Sequence, residues 1–155
     1  YLDRLGDWFN TNFSPEWSSL VQKTMALLQE ESELDEIVRL VGIDALSFRD
    51  RLTLESTRSI REDYLHQNAY HEVDTYSSPK KQYLLLKAIL AFYDKSLIAL
   101  QEDAPFSKLV RLPVREKIGR LKYVPEDQVQ AQFDAIMQDL NDQIRALTEG
   151  GEQHA

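Results

Sequence analysis

The densest group of chemistry-bearing side chains lies between Asp63 and Pro79, in the run D-Y-L-H-Q-N-A-Y-H-E-V-D-T-Y-S-S-P. Tyr64, Tyr70, Tyr76, His66, His71 and Asn68 crowd there without periodicity, and a loop dense in aromatic and polar groups more often binds something than merely connects. His66 and His71 stand five apart near Asp63 and Asp74, whereas two imidazoles share a helical face at a spacing of four. Local hydrogen bonding is therefore the expectation for them, and no metal ligand is assigned. The tyrosines stay open between core plugs, the reading composition favours, and groups that recognise a ligand. Glycines occur only at positions 6, 42, 119, 150 and 151, so neither a G-x-x-x-x-G-K-[ST] loop nor a G-x-G-x-x-G turn exists to hold phosphate. There is no nucleophile elbow, and no carboxylate spacing marks an acid–base pair. No catalytic residue is assigned.

The elements that must position this loop read as helices throughout. Ser78 followed by Pro79 is a cap with proline at the first helical position, and Ser14-Pro15-Glu16 repeats the pattern. From the second start, Trp17, Leu20, Val21, Thr24, Met25 and Leu28 recur at threes and fours. Leu34, Ile37, Val38 and Val41 continue the stripe to a glycine stop at Gly42. Ser47 and Asp50 resemble a capping box for a helix from about Phe48 to about His66, with Leu52, Ile60 and Tyr64 on one stripe that Phe48 and Ser56 complete. Pro79 to Leu100 is apolar on most sides, the mark of a central helix. Phe106 to Tyr123 contains Pro113 and predicts one or two short helices. A final amphipathic helix starts at Pro125-Glu126-Asp127, carries Val129, Phe133, Ile136, Met137, Leu140, Ile144 and Leu147, and is expected to stop at Gly150-Gly151. A short amphipathic helix within Tyr1 to Phe13 precedes them. With no strand-like alternation, the expected fold is all-α, a bundle of about five to seven helices in a single domain spanning residues 1–155.

Composition narrows the function classes. At 43% hydrophobic and 28% charged the chain is ordinary for a globular domain, and its length allows a real core. A net charge of −8 argues against nucleic acid, whose affinity comes from cationic neutralisation of phosphates. The absence of cysteine excludes a disulfide framework and thiolate metal sites. No apolar run approaches the ~20 residues that span a bilayer, so no direct membrane insertion is expected. Charge is uneven: Gln29 to Glu36 holds five acids and no base, while Lys108 to Lys122 holds six bases against Glu116. Such runs are either solvated faces or, for the basic one, a segment docking on acids of a partner or of its own fold. The first residue is Tyr1, not methionine, so the chain reads as a piece excised from something longer.

Two long runs carry a family resemblance. E-I-V-R-L-V-G-I-D-A-L-S-F-R-D-R-L-T-L-E, and R-E-D-Y-L-H-Q-N-A-Y-H-E-V-D-T-Y-S-S-P-K-K-Q-Y, together with S-P-E-W and L-P-V-R-E-K-I-G-R-L-K-Y-V-P-E, resemble the C-terminal helical domain of the catalytic A subunit of vacuolar/archaeal-type rotary ATPases. The resemblance implies a helical bundle following a nucleotide-binding domain that carries the phosphate loop. It also implies a ring shared with non-catalytic subunits around a central rotor, peripheral to the membrane on its cytoplasmic side, and ATP synthesis or hydrolysis coupled to proton or sodium transport. No cofactor is expected in the fragment itself; ATP or ADP with magnesium belongs to the parent subunit.

Two local patterns acquire roles by that similarity. The related F-type beta subunit has an acidic Asp-Glu-Leu-Ser-Glu-Glu-Asp tip facing the rotor, and the aligned residues here are Asp44, Ala45, Leu46, Ser47, Phe48, Arg49 and Asp50. With Phe48 and Arg49 in place of acids, what carries over is the position as a lever tip, not an acid-on-base contact. The same beta subunits wall the adenine with two phenylalanines six residues apart, and Tyr70 and Tyr76 align with them; Tyr64 falls outside that pattern. Ile43, Leu46 and Phe48 give the tip apolar groups with no evident partner, which suggests a contact surface, unless they fold back as a staple over the helix ends. The rival reading is a free-standing helical interaction module working through Lys108 to Lys122.

Overall fold

The computed structural model describes residues 15–65 and 78–153. Among these residues the chain is helical throughout and contains no strand. The expected short helix within Tyr1 to Phe13 lies outside them.

Helix α1 spans Glu16–Val41. Its first turn is closed by the Ser19 N–H donating to the Pro15 carbonyl at 3.3 Å, so Pro15 occupies the capping position and the helix begins one residue later than Ser14-Pro15 suggested. The buried positions of α1 are Trp17, Thr24, Leu27, Glu31 and Leu34. This corrects the expected stripe, because Met25, Ile37 and Val41 are exposed. The inward face continues through Glu31, an acid that breaks the apolar pattern, and ends at half-buried Val38. Gly42 then turns the chain with φ +93°, a backbone region that strains any residue with a Cβ.

A 3-10 turn at Ile43–Ala45 leads to α2, Phe48–Ser59. Ser47 caps it as its type and spacing predict, accepting the Asp50 N–H at 3.1 Å. The helix does not run on as α to His66. From Ile60 to Leu65 it widens into a π-helical turn that keeps Ile60 and Tyr64 fully buried. Glu31 and Arg61 face each other across the pair, each more than ten residues from the turn at Gly42, so α1 and α2 run antiparallel.

Helix α3, Pro79–Gln101, is the central element, burying residues on nearly every side from Tyr83 to Ala99. Ser78 caps it through the Lys81 N–H at 3.0 Å. Its end is a reversed turn in which the Ala104 N–H reaches the Ala99 carbonyl at 2.9 Å and Asp103 takes φ +66°, the place glycine usually fills. Two short helices, α4 (Phe106–Leu109) and α5 (Val114–Arg120), follow, with Pro113 capping the second. After 3-10 turns at Leu121–Tyr123 and Glu126–Gln128, α6 runs from Val129 to Gln153. Gly150-Gly151 does not end it: glycine costs a helix only ~1 kcal/mol per residue, less than a stop requires where nothing else terminates the chain. The α6 stripe of Val129, Phe133, Ile136 and Leu140 closes over α3 opposite α2, giving one continuous core.

Candidate functional site

Two regions attract attention from the sequence: the α1–α2 tip and the loop after Leu65. At the tip, Leu46 turns inward and is only 6% exposed, while Ile43 and Phe48 remain 44% and 56% exposed. The three are thus not equivalent, contrary to the expectation of apolar groups without partners. Leu46 folds back as a staple would, and its carbonyl accepts the Arg51 Nε–H at 3.2 Å. Phe48 stacks on Phe106 with ring centroids 5.2 Å apart, and the Arg51 guanidinium lies 5.4 Å from its ring centre. Arg51 also meets Asp44 at 3.6 Å. Asp44, Ala45, Ser47 and Arg49 point to solvent, and Asp50 is half-buried. Beside the Phe48–Phe106 stack a groove of about 460 Å³ opens, floored by Leu97, Leu100 and Ala104 and edged by Arg49 and Asp103.

The sequence reading missed the neighbouring face of α1. Ile37, Leu40 and Val41 are 40%, 72% and 67% exposed and adjoin Ile43, so the end of the bundle bears an apolar ridge. The signal was present in the spacing, since Leu27, Glu31, Leu34 and Val38 define one face and, at about 100° per residue, Ile37 falls about a quarter of a turn from its centre and Leu40 nearly opposite it.

Tyr70, Tyr76, His66 and His71 lie outside the described residues. The residues that flank this segment in sequence are described. Asp63, on the π turn, is half-buried with its carboxylate against Gly119, where an added Cβ would come within 3.2 Å of Oδ1. Burial pushes this carboxyl above its ordinary value, while Lys122 pulls the other way. Lys81 and Lys122 are both buried, and the Lys81 ammonium donates to the Lys122 carbonyl at 3.3 Å. The Ser78 hydroxyl donates to Glu126, tying the start of α3 to the turn before α6.

Charge pairing fixes the helices to one another. Arg61 reaches Glu31 Oε1 through Nη2 at 2.6 Å and Nε at 2.8 Å. Arg115 does more: it donates to Glu55 Oε2 at 3.0 Å, Ser59 Oγ at 2.8 Å and the Val110 carbonyl at 2.8 Å, and its guanidinium sits 4.7 Å from the Phe92 ring centre. Lys117 pairs with Asp139 at 2.7 Å and Arg120 with Glu116 at 2.6 Å. Much of the basic segment is thereby spent on acids of its own fold, one of the alternatives left open for it. No helix among the described residues is long and apolar enough to cross a membrane.

The described residues define an all-helical bundle in which an antiparallel helix pair ends in an exposed tip. Residues 6–110 match the family described as the C-terminal domain of V and A type ATP synthase, and the chain belongs to that family. It is 60% identical over 147 residues to the V-type ATP synthase alpha chain of Acetivibrio thermocellus, covering 95% of this chain and 25% of that one. The V-type ATP synthase alpha chain of Thermoanaerobacter pseudethanolicus is 55% identical over 151 residues, covering 97% and 25%. That of Clostridium botulinum strain Okra is 50% identical over 151 residues with the same coverage. The chain spans about a quarter of the length of these curated relatives.

Proposed function

We propose that this chain is the lever domain of the catalytic subunit of a V/A-type ion-translocating ATP synthase. In this reading it passes nucleotide-dependent motion to a central rotor through the tip at Ile43, Asp44, Leu46, Ser47, Phe48, Arg49 and Asp50. It closes the adenine side of the ATP site with Tyr70 and Tyr76, while phosphate, magnesium and the non-catalytic ring partners meet the part of the subunit upstream. The observation that carries the proposal is a single helical rod from Phe48 to Leu65, joining the tip directly to the segment that holds both tyrosines. Its α part, Phe48–Ser59, is about 18 Å long at 1.5 Å per residue, and the π turn at Ile60–Leu65 carries the helical path on to that segment without a break.

Binding the base without the phosphates leaves this domain no means of stabilising phosphoryl transfer, which depends on positioning and charge. By itself it hydrolyses no ATP. In the complete complex, Tyr70→Ala or Tyr76→Ala weakens ATP binding by roughly ten- to a hundredfold, since stacking on an aromatic contributes ~1–3 kcal/mol per base. Equilibrium nucleotide binding checks this, and unchanged affinity in both variants returns the tyrosines to a packing role.

A further inference from the structure

We propose that Lys81 and Lys122, where the first turn of α3 meets the turn after α5, form a binding site for a phosphate group, either the free ion or one carried on a nucleotide. The inference is independent of the lever reading and uses no part of it.

A buried ammonium needs a counter-charge, because a hydrogen bond to a carbonyl does not offset the loss of its hydration. Other lysines of this fold obey that rule. Lys23 meets Asp94, Lys87 meets Glu16 and Lys117 meets Asp139, although all three lysine side chains are at least a third exposed. Lys81 and Lys122, each only 7% exposed, form no ion pair among the described residues. The Lys81 ammonium reaches the Lys122 carbonyl at 3.3 Å, and the Lys122 ammonium lies 5.3 Å from the Tyr123 ring centre. Two nearly buried cations thus stand on neighbouring backbone with their charge uncompensated.

The helix makes the imbalance larger. The positive end of a helix dipole favours acids in the first turn, as Glu16 provides for α1. Helix α3 instead begins Pro79-Lys80-Lys81 with no acid there. Nearby acids do little to correct this. Asp63 interacts with Lys122, but burial pushes its carboxyl up, so it is a poor counter-ion. Glu126 is exposed and accepts the Ser78 hydroxyl, without an ion pair among the described residues.

Charge selects the ligand. A single carboxylate would leave one ammonium unpaired, whereas a phosphate group carries about −1.5 to −2 at pH 7 and offers several acceptor oxygens. Lysine suits it as a point charge with rotatable donors. Tyr123 is 44% exposed, which sets the Lys122 head at the edge of the bundle, within reach of solvent.

The test follows thermal unfolding of the chain, whose helices close one continuous core and whose sequence has no phosphate loop to compete. Sodium phosphate and ADP are each compared with sodium chloride at equal ionic strength. At ten times its Kd the bound species is expected to raise the midpoint by about 3–6 °C over chloride. Lys81→Met with Lys122→Met should abolish most of that rise. A larger rise with phosphate assigns the site to the free ion, and a larger one with ADP to the phosphates of a nucleotide; either upholds it. No rise above chloride with either, or an equal rise in the double variant, overturns the site. If the double variant does not fold, Lys122→Gln, beside exposed Tyr123, takes its place in the comparison, and an undiminished rise there overturns the site as well.

Discussion

At Glu31, burial and pairing oppose each other. Desolvation pushes its carboxyl up, but hydrogen bonds from Arg61 and Thr57 outweigh it and hold the group below its ordinary value of 4.5. A carboxyl whose folded value is depressed stabilises the fold above the ordinary carboxylate range, and that contribution is lost as pH falls through the folded value. Glu31→Gln should therefore flatten the acid limb of the stability profile, at a cost near neutrality of about 1 kcal/mol, since half-exposed Arg61 is screened by water. Arg61→Met should cost more, about 2 kcal/mol, because it leaves a buried carboxylate with only Thr57 for support. Urea midpoints measured from pH 3 to pH 7 check both; equal losses would mean that the desolvation of Glu31 is unimportant. Asp63 has the opposite sign. Its carboxyl is raised by burial, so ionisation there opposes folding above the ordinary range, and Asp63→Asn should leave stability at neutral pH unchanged or slightly higher.

Among the elements, the end of α3 holds stored strain that can be released. Asp103 occupies a left-handed position that costs an L-residue roughly 1–2 kcal/mol and glycine little. Asp103→Gly should raise stability by about 0.5–1 kcal/mol after the unfolded-state entropy of glycine is counted. A fall in thermal midpoint would show that the aspartate side chain contributes something the backbone does not explain. Caps and stripes of this kind were legible in the sequence. Ser47 and Ser78 cap where their types predict, and the α6 stripe was read directly from its spacing. The inner face of α1 was read wrongly because one of its buried positions is an acid whose partner, Arg61, is thirty residues away. The π turn was invisible for a different reason: over Ile60–Leu65 the α and π periods diverge too little for six side chains to separate them. At the tip the sequence located the turn but could not tell inward Leu46 from outward Phe48, since that depends on Phe106 arriving from the far end of α3.

For the whole molecule, a lever transmits displacement only if its rod cannot slide past the helices behind it. Arg115 is placed to prevent that slip. From the first turn of α5, only 15% exposed, it holds the Glu55 side chain and backbone and the Ser59 hydroxyl of α2, while lying over Phe92 of α3. Arg115→Met keeps most of the apolar stem and removes every one of these donors. It leaves the partly buried Glu55 carboxylate with only Arg58, at 2.7 Å, as its ion-pair partner among the described residues. The loss of several charge-assisted hydrogen bonds should lower unfolding free energy by about 2–3 kcal/mol. If the lever reading holds, the assembled complex carrying this change should still hydrolyse ATP but move fewer ions per ATP, because α2 yields against α3 before the tip advances. Simultaneous measurement of hydrolysis and ion transport checks it. An unchanged ratio alongside the stability loss would assign Arg115 to holding the bundle together and leave transmission to the packing of Leu52, Ile60 and Tyr64 against α3.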